Sequence, residues 1–247
     1  MKPHEHDIMR AVEDRYWWYQ ALRQHVVDSI EPATPQFSLL DAGCGTGGML
    51  AVVGKKFPQA KLTGIDESEH ALELAAGRRI DARFLRASVH ELPFPENAFD
   101  FVLSLDVWSH AGVDDALAAH ESHRVLRPGG MFMLNLAAFE FLKGAHDCAV
   151  DVDRRYTRAQ VCSLLRGANF EIERSTYWNA AFTPPIALLR WLSRLRRSLN
   201  APRSDFRPLP LFVNAALRRL AVLELSASRH LSLPFGTSVL AVARKHG

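Results

Sequence analysis

The densest chemistry in the chain lies where Leu39-Leu40-Asp41-Ala42-Gly43-Cys44-Gly45-Thr46-Gly47-Gly48 reads as a strand entering a glycine loop and then a helix. Glycines there permit positive φ and let the backbone approach a ligand at the carboxyl end of the first strand, where open α/β sheets hold their cofactors. Two cofactor chemistries compete for the loop. Gly43, Gly45 and Gly48 satisfy the dinucleotide spacing G-x-G-x-x-G, and Asp66 follows at about the distance of a ribose-binding acid, so an NAD-dependent oxidoreductase is one reading. Asp41 argues for the other. Two residues ahead of the first glycine, its carboxylate lies close to where a pyrophosphate would go, and like charges in a partly desolvated cleft repel. The same carboxylate suits a ligand with an ammonium and a sulfonium. S-adenosylmethionine is such a ligand, and it has no phosphate that needs a helix N-terminus.

Other side chains have the right types to complete such a site. Trp17 and Trp18 offer aromatic faces that attract cations and shed water, although a place in the core suits them equally. Arg23 is positioned to clamp a carboxylate or to lie in solvent. For proton transfer the candidates are His146, which Asp147 would orient, and Tyr156. His110 fits a structural role better. His4-Glu5-His6-Asp7 and His120-x-x-His123 have ligand-like spacing, but a solvated tail and a helix face explain them, and no metal is expected.

These residues and three further segments resemble the class I S-adenosylmethionine-dependent methyltransferases, in their small-molecule, methyltransferase type 11-like branch. Asp41 to Gly47 is similar to that family's D-x-G-C-G-T-G motif. Gly64-Ile65-Asp66 resembles its second-strand end. Leu92 to Asp100 (LPFPENAFD) and Arg124 to Gly130 (RVLRPGG) match its segments before strands four and five. The resemblance spans roughly residues 37–136. It implies S-adenosylmethionine as cofactor and S-adenosylhomocysteine as product, with Asp66 accepting from the ribose hydroxyls. Asp41, Gly43, Gly45, Ser88, Val89, Leu105 and Asp106 would line the cofactor, joined by Trp17 and Arg23. One position departs from the pattern: Ala87-Ser88-Val89 stands where the family has G-D-A, so a neutral hydroxyl replaces a charged acceptor for the adenine amino group. The implied activity is methyl transfer to an oxygen or nitrogen of a small metabolite. A cofactor-binding member that does not methylate is the second alternative beside the oxidoreductase. Nucleic acid is disfavoured as substrate, because Ser104-Leu105-Asp106-Val107 lacks the [DN]-P-P-[YFW] pocket for a planar amino group.

Around these residues, short apolar runs alternate with helical patterns, which predicts a Rossmann-like, doubly wound seven-stranded sheet whose last strand is antiparallel. Strands are expected at 38–41, 61–66, 83–86, 99–105, 131–136, 170–177 and 237–244. Helices are expected at 48–56, 68–78, 114–125 and 158–167. The first thirty residues read as one helical cover, and 185–229 as a long helical stretch. The whole is expected to form a single domain: cover 1–35, core 36–180 and 236–247, and a helical insertion or lid at 181–235.

Composition agrees with that class. The 247 residues are 48% hydrophobic and 23% charged, which excludes disordered, collagenous and mini-protein classes. A net charge of +3 is too small for a phosphate-tracking surface. It conceals a basic amphipathic segment, Ile186 to Arg207, with six arginines and one acid, which would face an acidic or lipid-like substrate or make weak peripheral contact with a membrane. Cys44, Cys148 and Cys162 form no disulfide framework. No signal peptide or membrane span is evident, so the expected compartment is the cytoplasm.

Overall fold

The computed structural model describes residues 2–195, 209–229 and 231–246. Seven strands form one sheet: β1 (Ser38–Ala42), β2 (Lys61–Asp66), β3 (Ala82–Arg86), β4 (Phe99–Leu105), β5 (Leu126–Ala137), β6 (Phe170–Trp178) and β7 (Ser238–Lys245). Their order is β3-β2-β1-β4-β5-β7-β6, all parallel except β7, which runs antiparallel to both neighbours. This is the doubly wound, Rossmann-like sheet expected from the sequence. The register sets Asp41 beside Gly64 and Leu103, so the carboxyl ends of β1, β2 and β4 open at one rim, where the strand order reverses.

The strands are legible because both faces of the sheet are covered. Leu40, Phe132 and Leu134 pack into one core with α5 (Asp115–Val125) and α7 (Arg158–Gly167). Their neighbours Leu39, Met131 and Met133 pack into the other with α2 (Trp17–Ser29), α3 (Gly48–Lys56) and α9 (Leu211–Ala227). This is period-2 side-chain alternation feeding two apolar layers. Helix starts are set locally. Ser68 Oγ caps α4 (Glu69–Ala76) by accepting from Ala71 N, Asp114 caps α5, and Thr157 with Gln160 forms a capping box on α7.

Two predicted elements differ. The first thirty residues form two helices, α1 (Pro3–Val12) and α2, because the buried Glu13 carboxylate turns inward to Arg23, Arg78 and Thr46. The long helical stretch resolves into α8 (Thr183–Leu195) and α9. The part of the predicted basic helix that falls on 196–207 lies outside the described residues.

Candidate active site

At the rim formed by the carboxyl ends of the strands lies a cavity of about 760 Å³. One end is built by the loop after β1, in which Gly43, Gly45 and Gly47 take φ of 94°, 51° and 74°. A side chain at Gly43 would strike Val107, and one at Gly45 would meet the Met9 methyl at 3.0 Å, so the turn needs glycine on both counts. Gly43 N and Cys44 N donate to Ile65 O. Asp66, at the tip of β2, accepts from Gly45 N and Ser68 N, each at 2.9 Å, which fixes its carboxylate at the cavity wall.

The cavity end around the loop is rich in acids. Asp41, 2% exposed, is pushed up to about 7 by burial and then by the neighbouring Asp66 charge, with Arg23 acting against them. Asp106 follows β4 with φ 62° and is also pushed up to about 7, chiefly by burial. Asn135 Nδ2 donates to both Asp106 oxygens, at 2.9 and 3.0 Å, and Asn135 Oδ1 accepts from Trp178 Nε1 at 2.8 Å. A buried tryptophan thus holds the amide that holds the carboxylate.

At the N-terminus of α3, where a dinucleotide would place its pyrophosphate, the protein has placed its own ion pair. A side chain at Gly48 would collide with the Arg23 guanidinium and the Glu13 carboxylate. Glu13 occupies this anion site and accepts from Thr46 Oγ1, Arg23 and Arg78. The acids around the loop therefore suit a cationic ligand, and the Glu13 carboxylate stands where a pyrophosphate would meet a like charge.

Residues 40–134 match the family described as "Methyltransferase domain". That stretch is a methyltransferase domain, and around it the chain is similar to class I S-adenosylmethionine-dependent methyltransferases. Its cofactor is S-adenosylmethionine, and the donor set fits: a fixed carboxylate, a positive-φ glycine turn and an acidic wall. Among curated relatives, a probable S-adenosylmethionine-dependent methyltransferase of Mycolicibacterium smegmatis is 29% identical over 178 residues, covering 68% of this chain and 65% of that protein. Malonyl-[acyl-carrier protein] O-methyltransferase of Dechloromonas aromatica is 33% identical over 150 residues, 56% of this chain and 54% of that one. Cycloartenol-C-24-methyltransferase of Arabidopsis thaliana is 35% identical over 114 residues, 43% and 32%. The chain spans about a third to two thirds of the length of these relatives. Solved structures share the fold at low identity. Geranyl diphosphate methyltransferase with geranyl diphosphate and sinefungin gives a TM-score of 0.62 at 18% identity, over 92% of this chain and 78% of that one. The [4+2]-cyclase SpnF gives 0.62 at 22%, over 93% and 82%.

The methyltransferase domain gathers most of the residues singled out from the sequence. Asp41, Gly43, Gly45, Asp66, Val89, Leu105, Trp17, Arg23 and His146 all line the cavity. Trp17 lies 4.9 Å from the Phe182 ring, while Trp18 stacks on Trp178 at 5.4 Å. Four expectations need correction. Arg23 reaches the cavity already paired with Glu13 and Asp14. Ser88 is not among the lining residues, and its hydroxyl accepts from His90 N at 3.3 Å. Tyr156 is buried beside the sheet, with its hydroxyl on Asp115 at 2.8 Å and Trp108 O at 3.1 Å; burial and the Asp115 charge push it far up. Nor is Asp147 given over to His146: its oxygens accept from Arg155 and from Gly144 N.

Several lining groups lie outside the site that the sequence predicts. His6, expected in a solvated tail, is buried on α1, 3.5 Å from Ser68 Oγ, and burial lowers its pKa. His110 also lines the cavity, with Nδ1 3.0 Å from Val107 O, and burial lowers it as well. His6, Met9 and Glu13 recur at helical intervals of three and four. That signal was available in the sequence.

Proposed function

We propose that this chain transfers the methyl group of S-adenosylmethionine to an oxygen or nitrogen of a small metabolite. One observation carries the reading: a single cavity joins the glycine turn and the fixed Asp66 carboxylate to Asp106, then continues to a far end walled by Leu142, His146 and Ile186. The cofactor, when bound, supplies a methyl group activated by a positive sulfur. The chain's own residues bind, orient and exclude water, and such positioning can contribute most of the acceleration. Asp66 accepts from the ribose hydroxyls, Ala87 and Val89 pack the adenine, and Leu105 closes the floor. Asp41 supplies negative charge at the loop. Trp17 and Trp18 cover the opening. Arg23 we assign to fastening α1 over the loop through Glu13.

Asp106 is the group best suited to take a proton from an acceptor O–H or N–H. A carboxyl group near 7 balances availability of the base against driving force at neutral pH. This favours protic acceptors over carbon, although the relatives' names span both carbon and oxygen. His146 we place at the acceptor end as a contact to substrate, and Tyr156 we assign to structure. Residues 1–35 and 181–235 act as covers on one catalytic domain. We place the protein in the cytoplasm, supported by three free cysteines; among the described residues no helix is long and apolar enough to cross a membrane. A panel of alcohols, carboxylic acids and amines incubated with methyl-labelled cofactor tests the assignment. Label is expected on oxygen or nitrogen, with Asp106→Asn lowering turnover by about 10²–10⁴-fold while S-adenosylhomocysteine still binds. Label on carbon, or full activity in the variant, contradicts it.

A further inference from the structure

The outer faces of α8 and α9 carry a pattern that the reaction does not use. Phe182, Ile186 and Arg190, spaced by four, turn toward the cavity. On the other side of α8, Leu188 is 55% exposed and Trp191 58%, with Leu192 and Leu189 beside them. On α9, Ala221 and Leu225 face the core, whereas Phe212, Leu220 and Leu223 are exposed, with Arg218 and Arg219 exposed between them. Large apolar side chains left in water on both helices mark an interaction surface.

Charge says what covers it. In sequence, nine of the chain's 30 lysine and arginine residues fall within 183–229, with only two of its 27 acids; among the described residues of that stretch the arginines are Arg190, Arg194, Arg218, Arg219 and Arg229 and the acid is Glu224. Glu224 is engaged with the backbone N–H groups of Ala180 and Ala181. An isologous pairing of two copies through this face would bring arginines against arginines, because a two-fold interface is built from the same patch on both sides. An anionic lipid surface meets both requirements: its headgroups attract arginine, and its acyl boundary accepts leucine, phenylalanine and tryptophan.

We propose that α8 and α9 dock on an anionic membrane surface, with Leu188, Trp191, Phe212, Leu220 and Leu223 entering the interface and Arg218 and Arg219 meeting the headgroups. One turn-and-face relation follows. The inner face of α8 walls the cavity while its outer face lies on lipid, so the acceptor end of the site stands next to the bilayer. Docking itself does not depend on the methyl-transfer reading.

The test is co-sedimentation of the full chain with phosphatidylcholine vesicles and with vesicles containing phosphatidylglycerol. Binding is expected only to the latter, weakening as salt rises. The double substitution Leu188→Glu and Trp191→Glu is expected to reduce binding at least tenfold, and so is the independent pair Leu220→Glu and Leu223→Glu. The circular dichroism spectrum and the affinity for S-adenosylhomocysteine should stay unchanged in both, which separates loss of docking from loss of fold. Equal binding to both vesicle types, or binding to neither, overturns the proposal. So does a concentration-dependent dimer in sedimentation velocity that these substitutions dissolve while vesicle binding stays absent, because the face then belongs to a second copy.

Discussion

Asp41 and Asp106 are two carboxyl groups that the fold keeps close to half-protonated at neutral pH, and this has a measurable thermodynamic sign. For Asp41 the native value is about 7 against an ordinary 3.8, so between those limits the folded chain holds a proton that the unfolded chain has released. Stability from this group is therefore fully present below about pH 4 and lost as pH rises through about 7. Asp106 acts in the same direction. His25 opposes them: burial and the nearby Arg174 lower it to about 3, so its contribution is lost as pH falls below its ordinary 6.5. The clean measurement is a difference. Asp41→Asn is expected to raise the unfolding free energy at pH 8 by on the order of a few kcal/mol, read as a higher thermal midpoint, with the margin vanishing near pH 4. A margin that is constant across pH would show that Asp41 is ionised throughout. Asp66→Ala should act on binding instead, weakening S-adenosylhomocysteine at least tenfold, since it removes a charged acceptor worth about 1.5–3 kcal/mol. Titration calorimetry reads that directly. At this scale the sequence was informative about Asp41, Asp66 and the glycines, whose roles depend on neighbours within a few residues. It placed Asp106 on the cofactor wall but gave no sign of its raised affinity for a proton, whose setting is made by Asn135 and Trp178, 29 and 72 positions away. It misplaced Tyr156 because only the packed structure brings Asp115 to its hydroxyl.

The element that most changes the site is α1. Its apolar and polar residues give no sign that it leaves the line of α2, and the aromatic run Tyr16 to Tyr19 carries a helical pattern across the break. The decision is made by partners distant in sequence. Glu13 is drawn to Thr46 and Arg78, which brings Met9 over Gly45 and His6 against Ser68. The same ion pair sets a carboxylate beside Gly48 at the start of α3, so one turn of backbone both covers the loop after β1 and disfavours a phosphate there. Glu13→Ala leaves two guanidinium groups buried without their main carboxylate, a change expected to cost about 3–5 kcal/mol. Asp14, which also accepts from Arg23 and Arg78, holds the loss toward the lower figure. A urea midpoint shift measures it, and hydrogen exchange should show α1 amides losing protection before those of the sheet. If α1 exchanges no faster than in the parent chain, Glu13 is not its fastening.

At the scale of the whole molecule, the sheet was legible because both of its faces are buried. β1, β4 and β5 read as near-continuous apolar runs, and strong caps at Ser68, Asp114 and Thr157 mark where helices begin. The covers were less legible, since α8 and α9 keep apolar faces on both sides and periodicity alone does not say which is inside. The +3 net charge says little by itself, because it averages over the arginines that gather in 183–229. The sheet sets the rim, α1 and α2 close it from one side, and α8 adds Ile186 and Arg190 to the wall. These parts together make a cavity that suits a cationic nucleoside and not a dinucleotide. Titration calorimetry of the full chain with S-adenosylhomocysteine and, separately, with NAD tests that claim most directly. Saturable one-to-one binding of S-adenosylhomocysteine, weakened at least tenfold by Asp66→Ala, with no heat from NAD, is the predicted result. Binding of NAD with no response to millimolar S-adenosylhomocysteine would contradict it.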